Sequence, residues 1–263
     1  MSSTSSSEFA VVTGGSSGIG RALAHQFLAH GFDVLIAADA HVSEAAEQLR
    51  GVGTGTLETL QVDLSTADGV AELHSKIGSA RAVDVLAANA GIGHGKSFFD
   101  QSRQDWMKVV ETNVIGTLDL IHRVGGQMRA AGHGRILITS SIASEMPGAF
   151  NAVYNASKAF LQSFSFAIRN ELKDSGVTVT ALLPGATDTE FFDRADMADT
   201  KVGQASKDDP SDVAEAGYQA LMRGEGEVIY GLKNKMQVAA AKIIPDDRLA
   251  EMHRKMSAPG SDG

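Results

Sequence analysis

Phe9-Ala-Val-Val-Thr-Gly-Gly-Ser-Ser-Gly-Ile-Gly20 is the stretch from which the fold of this chain can be read. Its first five residues, 9–13, are mostly apolar and rich in β-branched side chains, the composition of a strand buried on both faces. Glycines at 14, 18 and 20 then punctuate a turn, and a helical pattern runs from about Gly18 to His30. In a strand–turn–helix unit such glycines allow a sharp turn, let the backbone approach a pyrophosphate, and let helix pack on strand. The helix N-terminus adds free N–H groups and the positive end of the helix dipole. Gly14, Ser16, Ser17, Gly18, Ile19 and Gly20 are therefore candidate cofactor contacts, weighed against a tight turn that binds nothing.

The same alternation continues outward. Strands are expected at 33–38, 57–62, 83–88, 135–139, 177–183 and 228–230. Between them lie helical patterns at 65–79, about 102–131 and 153–175, and one after the second strand with Glu44 and Glu47 on its polar side. Strands this apolar, each followed by a helix, imply an α/β fold: a doubly wound parallel sheet covered on both faces (a Rossmann fold), with its ligand site beyond the carboxyl ends of the strands. The expected organisation is a disordered Ser-rich tail over 1–8 and a single domain over 9–231. A polar, lid-like stretch at about 190–208 interrupts the regular pattern, and an amphipathic C-terminal extension spans 232–263.

Composition narrows the function. A net charge of −9 argues against nucleic acid as a main partner, since phosphate contacts need concentrated Lys and Arg. The absence of cysteine excludes disulfides, thiolate catalysis and Cys-ligated zinc, and suits a reducing cytoplasm. No signal peptide or membrane span is expected. The eight histidines show no metal-ligand spacing, so no metal is expected.

Where the second strand ends, Asp39 is a candidate ribose ligand, because a carboxylate accepts hydrogen bonds from both ribose hydroxyls and repels a 2′-phosphate. No Lys or Arg lies between Arg21 and Arg50, which favours NAD over NADP. The competing reading makes Asp39 a cap of the following helix. Asp63 and Leu64, ending the third strand, would lie beside the adenine, Asp63 being an alternative helix cap.

Tyr154-Asn-Ala-Ser-Lys158 opens a helix, and a spacing of four sets Tyr154 and Lys158 on one face. A phenol ionises near pH 10, so using it as a base at neutral pH requires about 4 kcal/mol of differential stabilisation, for which a neighbouring ammonium and the positive nicotinamide ring are together a source. Ser141, ending the fifth strand, would hold the substrate oxygen for proton exchange with Tyr154. Taken singly, the three are equally a boundary aromatic, a solvated lysine and a strand-end cap.

Together these segments resemble the short-chain dehydrogenase/reductase family over about residues 9–231. The matching pieces are Thr13-Gly14-x3-Gly18-Ile19-Gly20, Asn89-Ala90-Gly91, Asn113 in Asn-Val-Ile-Gly, Ser141, Tyr154-x-Ala-Ser-Lys158, and Pro184-Gly185 followed by Thr189. The resemblance implies Tyr154 as general acid/base and Lys158 as the group that binds the nicotinamide ribose and depresses the Tyr154 pKa. It implies Ser141 as the substrate-orienting hydroxyl, and Asn113 as the holder of a helix kink and a relay water. Asn89, Ala90 and Gly91 would shape the cofactor cleft; Pro184, Gly185, Thr187 and Thr189 would hold the nicotinamide end. One departure concerns nucleotide choice. NAD-using members usually carry the selective Asp one position earlier, where this chain has Ala38, and Asp39 falls where NADP-using members often carry Arg.

The expected activity is hydride exchange between NAD, or alternatively NADP, and a secondary alcohol or ketone. The other readings are an NADPH-dependent ketoreductase, a catalytically silent NAD-binding regulator, and a lyase on the same scaffold. His94, Ala143, Met146, Phe150, Asn151, Phe191 and Phe192 are the candidate substrate walls, a mostly apolar set that favours a hydrophobic or aromatic substrate. Phe160, Leu161, Phe164 and Ile168 give the helix after Tyr154 more apolar surface than one core stripe needs. A homodimer or homotetramer using this helix and the one over 102–131 is therefore expected.

Overall fold

The structure, a computed structural model, describes residues 7–78 and 81–260. Most of the expected Ser-rich tail (residues 1–6), the expected helix end at Ser79, and residues 261–263 of the extension lie outside the described residues.

Seven strands, β1 Phe9–Thr13, β2 Asp33–Ala38, β3 Leu57–Gln61, β4 Val85–Ala88, β5 Gly134–Thr139, β6 Val177–Leu183 and β7 Glu227–Ile229, form one sheet in the order 3-2-1-4-5-6-7. Every pairing is parallel, with Val11 opposite Leu35 on one side and Leu86 on the other. The strand order reverses beside β1, which opens the crevice where such sheets bind ligands.

Period-two alternation sorts the strand residues into two cores. Val11, Leu35, Leu86, Ile136 and Val179 face α3 (Ala67–Ile77), α5 (Thr117–Ala131) and α6 (Ala152–Glu171). Val12, Ile36, Ala87, Leu137 and Leu182 face the other side, under α1 (Gly18–Ala29) and a helix over Pro210–Met222. That last helix is absent from the strand-and-helix pattern first read from the sequence. Its signals are nonetheless present. Asp209 accepts a hydrogen bond from Ser211 N at 2.7 Å, Pro210 begins the helix, and Val213, Ala214, Tyr218 and Leu221 recur at helical spacing.

The remaining helices are α2 (Val42–Gln48), α4 (Arg103–Val110), α7 (Phe191–Arg194) and α8 (Lys201–Gln204), so the Pro210–Met222 helix is α9; α10 (Leu232–Ala241) and α11 (Asp246–Ser257) follow it. The helical path over 103–131 is not uniform: α4 passes through a π-helical segment at Glu111–Gly116 before α5. On α6, Leu161 belongs to the core and Phe164 and Ile168 pack against it, so less apolar surface is left over than the sequence suggests. Phe160 and Phe166 remain exposed there, and Ile115 on the π-helical segment. No helix among the described residues is long and apolar enough to cross a membrane.

Candidate active site

The carboxyl ends of β1, β2, β4, β5 and β6 open into one cavity of about 860 Å³. Its first wall is the glycine turn. Gly14 and Gly18 have φ of +63° and +51°, a region that side-chain-bearing residues rarely adopt. A Cβ on Gly18 would stand 2.7 Å from Thr189 Cγ2, and one on Gly20 would stand 2.1 Å from the Gly14 carbonyl oxygen. The turn is thus packed too closely against Thr189 and against itself for side chains at 18 and 20, and it brings the N-terminus of α1 to the cavity wall, a cradle suited to a pyrophosphate. Thr13 anchors it: its hydroxyl accepts the N–H groups of Asn89 and Ala90, both at 3.0 Å. Asn89 Nδ2 donates to the Thr13 carbonyl at 3.1 Å, and Thr139 donates to Asn89 Oδ1 at 3.1 Å, tying β1, β4 and β5 together at their ends.

Ser16, Ser17, Ile19, Asp39, Asp63, Leu64, Ala90, Gly91, Pro184, Gly185, Thr187 and Thr189 all line the same cavity. The cap reading of Asp39 does not hold, because His41, at φ +57°, is the N-terminal cap position of α2 and no side chain caps that helix. Among the described residues Asp39 is engaged only at its main-chain carbonyl, by Gln61 Nε2 at 3.1 Å. Asp63 behaves differently. Its Oδ1 accepts from Ser65 N at 2.9 Å and Ser65 Oγ at 2.7 Å, a local turn that holds its carboxyl below the usual range.

At the opposite end, α6 carries Tyr154 and Lys158 against the ends of β5 and β6. Lys158 is 3% exposed, donates from Nζ to the Thr139 carbonyl at 2.8 Å, and lies 5.7 Å from the centre of the Tyr154 ring. Ser141 Oγ accepts from Ala143 N at 3.1 Å, donates to the Pro184 carbonyl at 3.4 Å, and favours the ionised form of the Tyr154 phenol. The sequence reading expected Lys158, together with the positive nicotinamide ring, to hold the Tyr154 phenol below its ordinary value. Burial of the phenol, opposed only in part by the Ser141 bond, pushes it up to about 12, and burial of Lys158 brings the ammonium down to about 8.

Asn113 does not line the cavity but lies behind it, fully buried in the π-helical segment. Oδ1 accepts from Ile92 N at 2.8 Å, while Nδ2 donates to the Ile92 carbonyl at 2.9 Å and to Ser157 Oγ at 3.0 Å. Gly91 sits between the two groups: a Cβ there would be 3.1 Å from Lys158 Nζ and 3.4 Å from Asn113 Oδ1.

Of the expected substrate walls, His94, Ala143, Met146, Asn151, Phe191 and Phe192 line the cavity. Phe150 does not: its backbone is left-handed, at φ +64°, and its half-buried ring lies under the Arg254 guanidinium, 5.1 Å away. His94 Nε2 is 3.8 Å from Asp105 Oδ2, beyond hydrogen-bond reach. Phe191 packs on the Tyr154 ring at 5.1 Å, and the 190–208 stretch has its own small core of Phe192, Ala195 and Met197. Its far end is tied back where Asp208 N donates to the Ala186 carbonyl and Asp208 Oδ2 accepts from Asn234.

The amphipathic pattern of the extension suits packing on a subunit or on the substrate cleft, and Lys233, Asn234, Gln237, His253, Met256 and Ser257, from α10 and α11, complete the cavity wall. Sequence reasoning missed Asn155, whose Nδ2 donates to the Ala143 and Met146 carbonyls at 3.0 and 3.1 Å and so shapes the wall after Ser141. Asn155 was visible beside Tyr154; the extension's amphipathic pattern left open which of its residues meet the cavity.

Comparison with known proteins agrees with this geometry. Residues 8–199 match the short chain dehydrogenase family. An uncharacterized oxidoreductase of Staphylococcus saprophyticus is 31% identical over 217 residues, covering 81% of this chain and 91% of that protein. Acetoacetyl-CoA reductase of Paracoccus denitrificans is 32% identical over 184 residues, 69% of this chain and 74% of the relative. Among solved structures, a short-chain dehydrogenase from Sphingobium yanoikuyae in complex with NADPH superposes with a TM-score of 0.79 at 25% identity, covering 90% of this chain and 96% of that one. The chain belongs to the short-chain dehydrogenase/reductase family and is an NAD(P)-binding oxidoreductase.

Proposed function

We propose that the protein interconverts a secondary alcohol and a ketone, with Tyr154 as general acid/base and NAD(H) as the favoured nucleotide. The observation that carries this reading is the convergence of Tyr154, Ser141 and Lys158 at one end of a cavity whose other end is a glycine cradle.

In ketone reduction the Ser141 and Tyr154 hydroxyls hold the carbonyl oxygen, and Tyr154 gives it the phenolic proton. In alcohol oxidation the same proton returns to the Tyr154 oxygen. When bound, the nicotinamide supplies or accepts the hydride. Lys158, one helical turn on, stabilises the phenolate and holds the nicotinamide ribose. Asn113 fixes the Ile92 main chain behind that lysine and relays protons toward it by way of water. Asn89 to Gly91, Asp63 and Leu64 would flank the adenine side, with Pro184, Gly185, Thr187 and Thr189 at the nicotinamide end.

Asp39 supports NAD, since its carboxylate stands free of any cap at the cavity wall and no Lys or Arg comes from that strand end. NADP is the alternative, supported by the NADPH bound in the Sphingobium yanoikuyae relative. The mostly apolar walls, with Met146, Phe191 and Phe192, favour a hydrophobic or aromatic substrate. We read residues 9–231 as the dehydrogenase domain, 190–208 as its substrate lid and 232–263 as an extension of the same domain. A cytoplasmic homodimer or homotetramer is the form expected.

The test is turnover of a panel of secondary alcohols and ketones with NAD(H) and NADP(H), for the protein and its Tyr154→Phe variant. Positioned proton transfer is worth at least ~100-fold, so that variant should bind nucleotide and lose turnover by that factor. Near-normal turnover in the variant would overturn the mechanism.

A further inference from the structure

The segment after β6 that lines the nicotinamide end of the cavity, residues 184–188, is fastened on two sides. On one side Ile142 N donates to the Pro184 carbonyl at 3.0 Å, which ties the start of the segment to the residue after Ser141. On the other, Asp208 pairs with Thr187 as an isolated parallel bridge. Asp208 N donates to the Ala186 carbonyl at 2.8 Å, and Asp188 N donates to the Asp208 carbonyl at 2.9 Å. In a trans peptide the carbonyl and the next N–H point in opposite directions. With Ala186 O and Asp188 N turned to Asp208, the N–H and carbonyl of Thr187 lie on the edge away from it. Thr187 itself is buried and lines the cavity.

Asp208 is in turn held by α10, which lies beyond the stretch 8–199 that matches the family. Asn234, a buried residue of this helix, donates from Nδ2 to Asp208 Oδ2 and to the Tyr230 carbonyl, both at 2.8 Å, and so spends both amide hydrogens. The same amide also lies against the segment directly: a Cβ on Gly185 would stand 2.5 Å from both Asn234 Nδ2 and Oδ1. One side chain thus abuts the segment at Gly185 and fixes its bridge partner through Asp208. Neither bond reaches the glycine turn or the ends of β2 and β3, so the adenine side does not depend on it.

Resting on the reading that Pro184, Gly185, Thr187 and Thr189 hold the nicotinamide end, we propose that Asn234 is a positioning residue for the nicotinamide. It sets the place of residues 184–188 from behind and touches no reacting atom. The C-terminal extension then governs one half of the nucleotide site, and governs it separately from the other half.

The test compares binding of NADH with binding of ADP-ribose, which lacks the nicotinamide, by titration calorimetry. If the wild type prefers NADPH, that nucleotide and 2′-phospho-ADP-ribose replace them. Asn234→Asp keeps the shape that fits Gly185 but removes both donors and sets a second carboxylate against Asp208. It should bind NADH at least ~10-fold more weakly, the worth of a hydrogen bond to a charged group, with ADP-ribose held to within about 2-fold. Combining Asn234→Asp with Asp208→Asn exchanges donor and acceptor and should recover most of the lost NADH affinity. Calorimetric unfolding shows whether each variant folds; if Asn234→Asp does not, Asn234→Ala, which brings no charge, should show the same split between the two ligands. Unchanged NADH binding in a folded variant, equal loss of NADH and ADP-ribose, or no recovery in the folded exchange variant would overturn the inference while leaving the oxidoreductase reading intact. Wild-type protein that binds NADH no better than ADP-ribose would instead overturn the nicotinamide-end reading on which it rests.

Discussion

Replacing Lys158 by methionine separates what this lysine does for chemistry from what it does for folding. A phenol that ionises at about 12 is only about one part in 10⁵ phenolate at pH 7. The Lys158 ammonium, 5.7 Å from the centre of the Tyr154 ring, attracts that phenolate by about 3 kcal/mol at an effective dielectric near 20, worth about 100-fold in phenolate. Lys158→Met should therefore lower kcat for alcohol oxidation ~100-fold at pH 7, measured at saturating nucleotide so that weakened ribose binding does not enter. Because Lys158 itself loses its proton at about 8, its help fades at higher pH, and the deficit should shrink to ~10-fold near pH 9. Stability should move the other way. The Lys158 pKa is depressed from 10.5 to about 8, so the unfolded chain binds more protons across that window and stability rises with pH through it. Below pH 8 the buried ammonium opposes folding by about 3 kcal/mol, a penalty that methionine lacks. Loss of the bond to the Thr139 carbonyl offsets about 1–3 kcal/mol of that gain. The variant should thus unfold at pH 7 no lower in temperature than wild type, by calorimetry. A deficit under 10-fold at pH 7, a deficit independent of pH, or joint loss of folding and activity would refute the reasoning.

Other outcomes are expected from different parts of the structure. Asp39→Arg should narrow or reverse the preference for NADH over NADPH, since it exchanges a carboxylate for a phosphate partner; better use of NADPH by the unmodified protein would remove Asp39 as a ribose ligand. Gly18→Ala must hold a side chain at φ +51°, with its Cβ 2.7 Å from Thr189 Cγ2, and should lose at least ~10-fold in nucleotide affinity by titration calorimetry. Gly126→Ala is its control: a Cβ there meets nothing within 4 Å, so the helix should gain about 0.5–1 kcal/mol in denaturant unfolding. Sedimentation at micromolar concentration should show a dimer or tetramer, and glutamate at Phe160 and Phe166, which are each 45% exposed, should shift it toward monomer.

Much of this architecture was legible because it rests on local rules. Alternation of apolar strands with helices, the glycines of the first turn, and the four-residue step from Tyr154 to Lys158 each state a geometry that neighbouring residues alone impose. Hence the sheet, and the positions of Tyr154, Lys158 and Ser141 at strand and helix ends, could be read without coordinates. Even there a local signal was passed over: Asp209-Pro210 and the spacing from Val213 to Leu221 announce α9, which covers one whole face of the sheet with α1.

What only the tertiary structure decided is everything that depends on burial and on contacts between distant segments. Spacing placed Lys158 beside Tyr154, but the direction in which each group's pKa moves came from how deeply each is enclosed. Phe150 and Asn151 are adjacent in sequence, yet the Phe150 ring, on a left-handed backbone, lies against Arg254 while Asn151 lines the cavity. His253 lies 104 positions from the Ala149 carbonyl it touches, and no periodicity in α11 announces that contact. Local sequence sets backbone geometry through sterics and short-range hydrogen bonds. Ionisation and cavity shape follow the summed surroundings of each group, and those exist only once the chain has closed on itself.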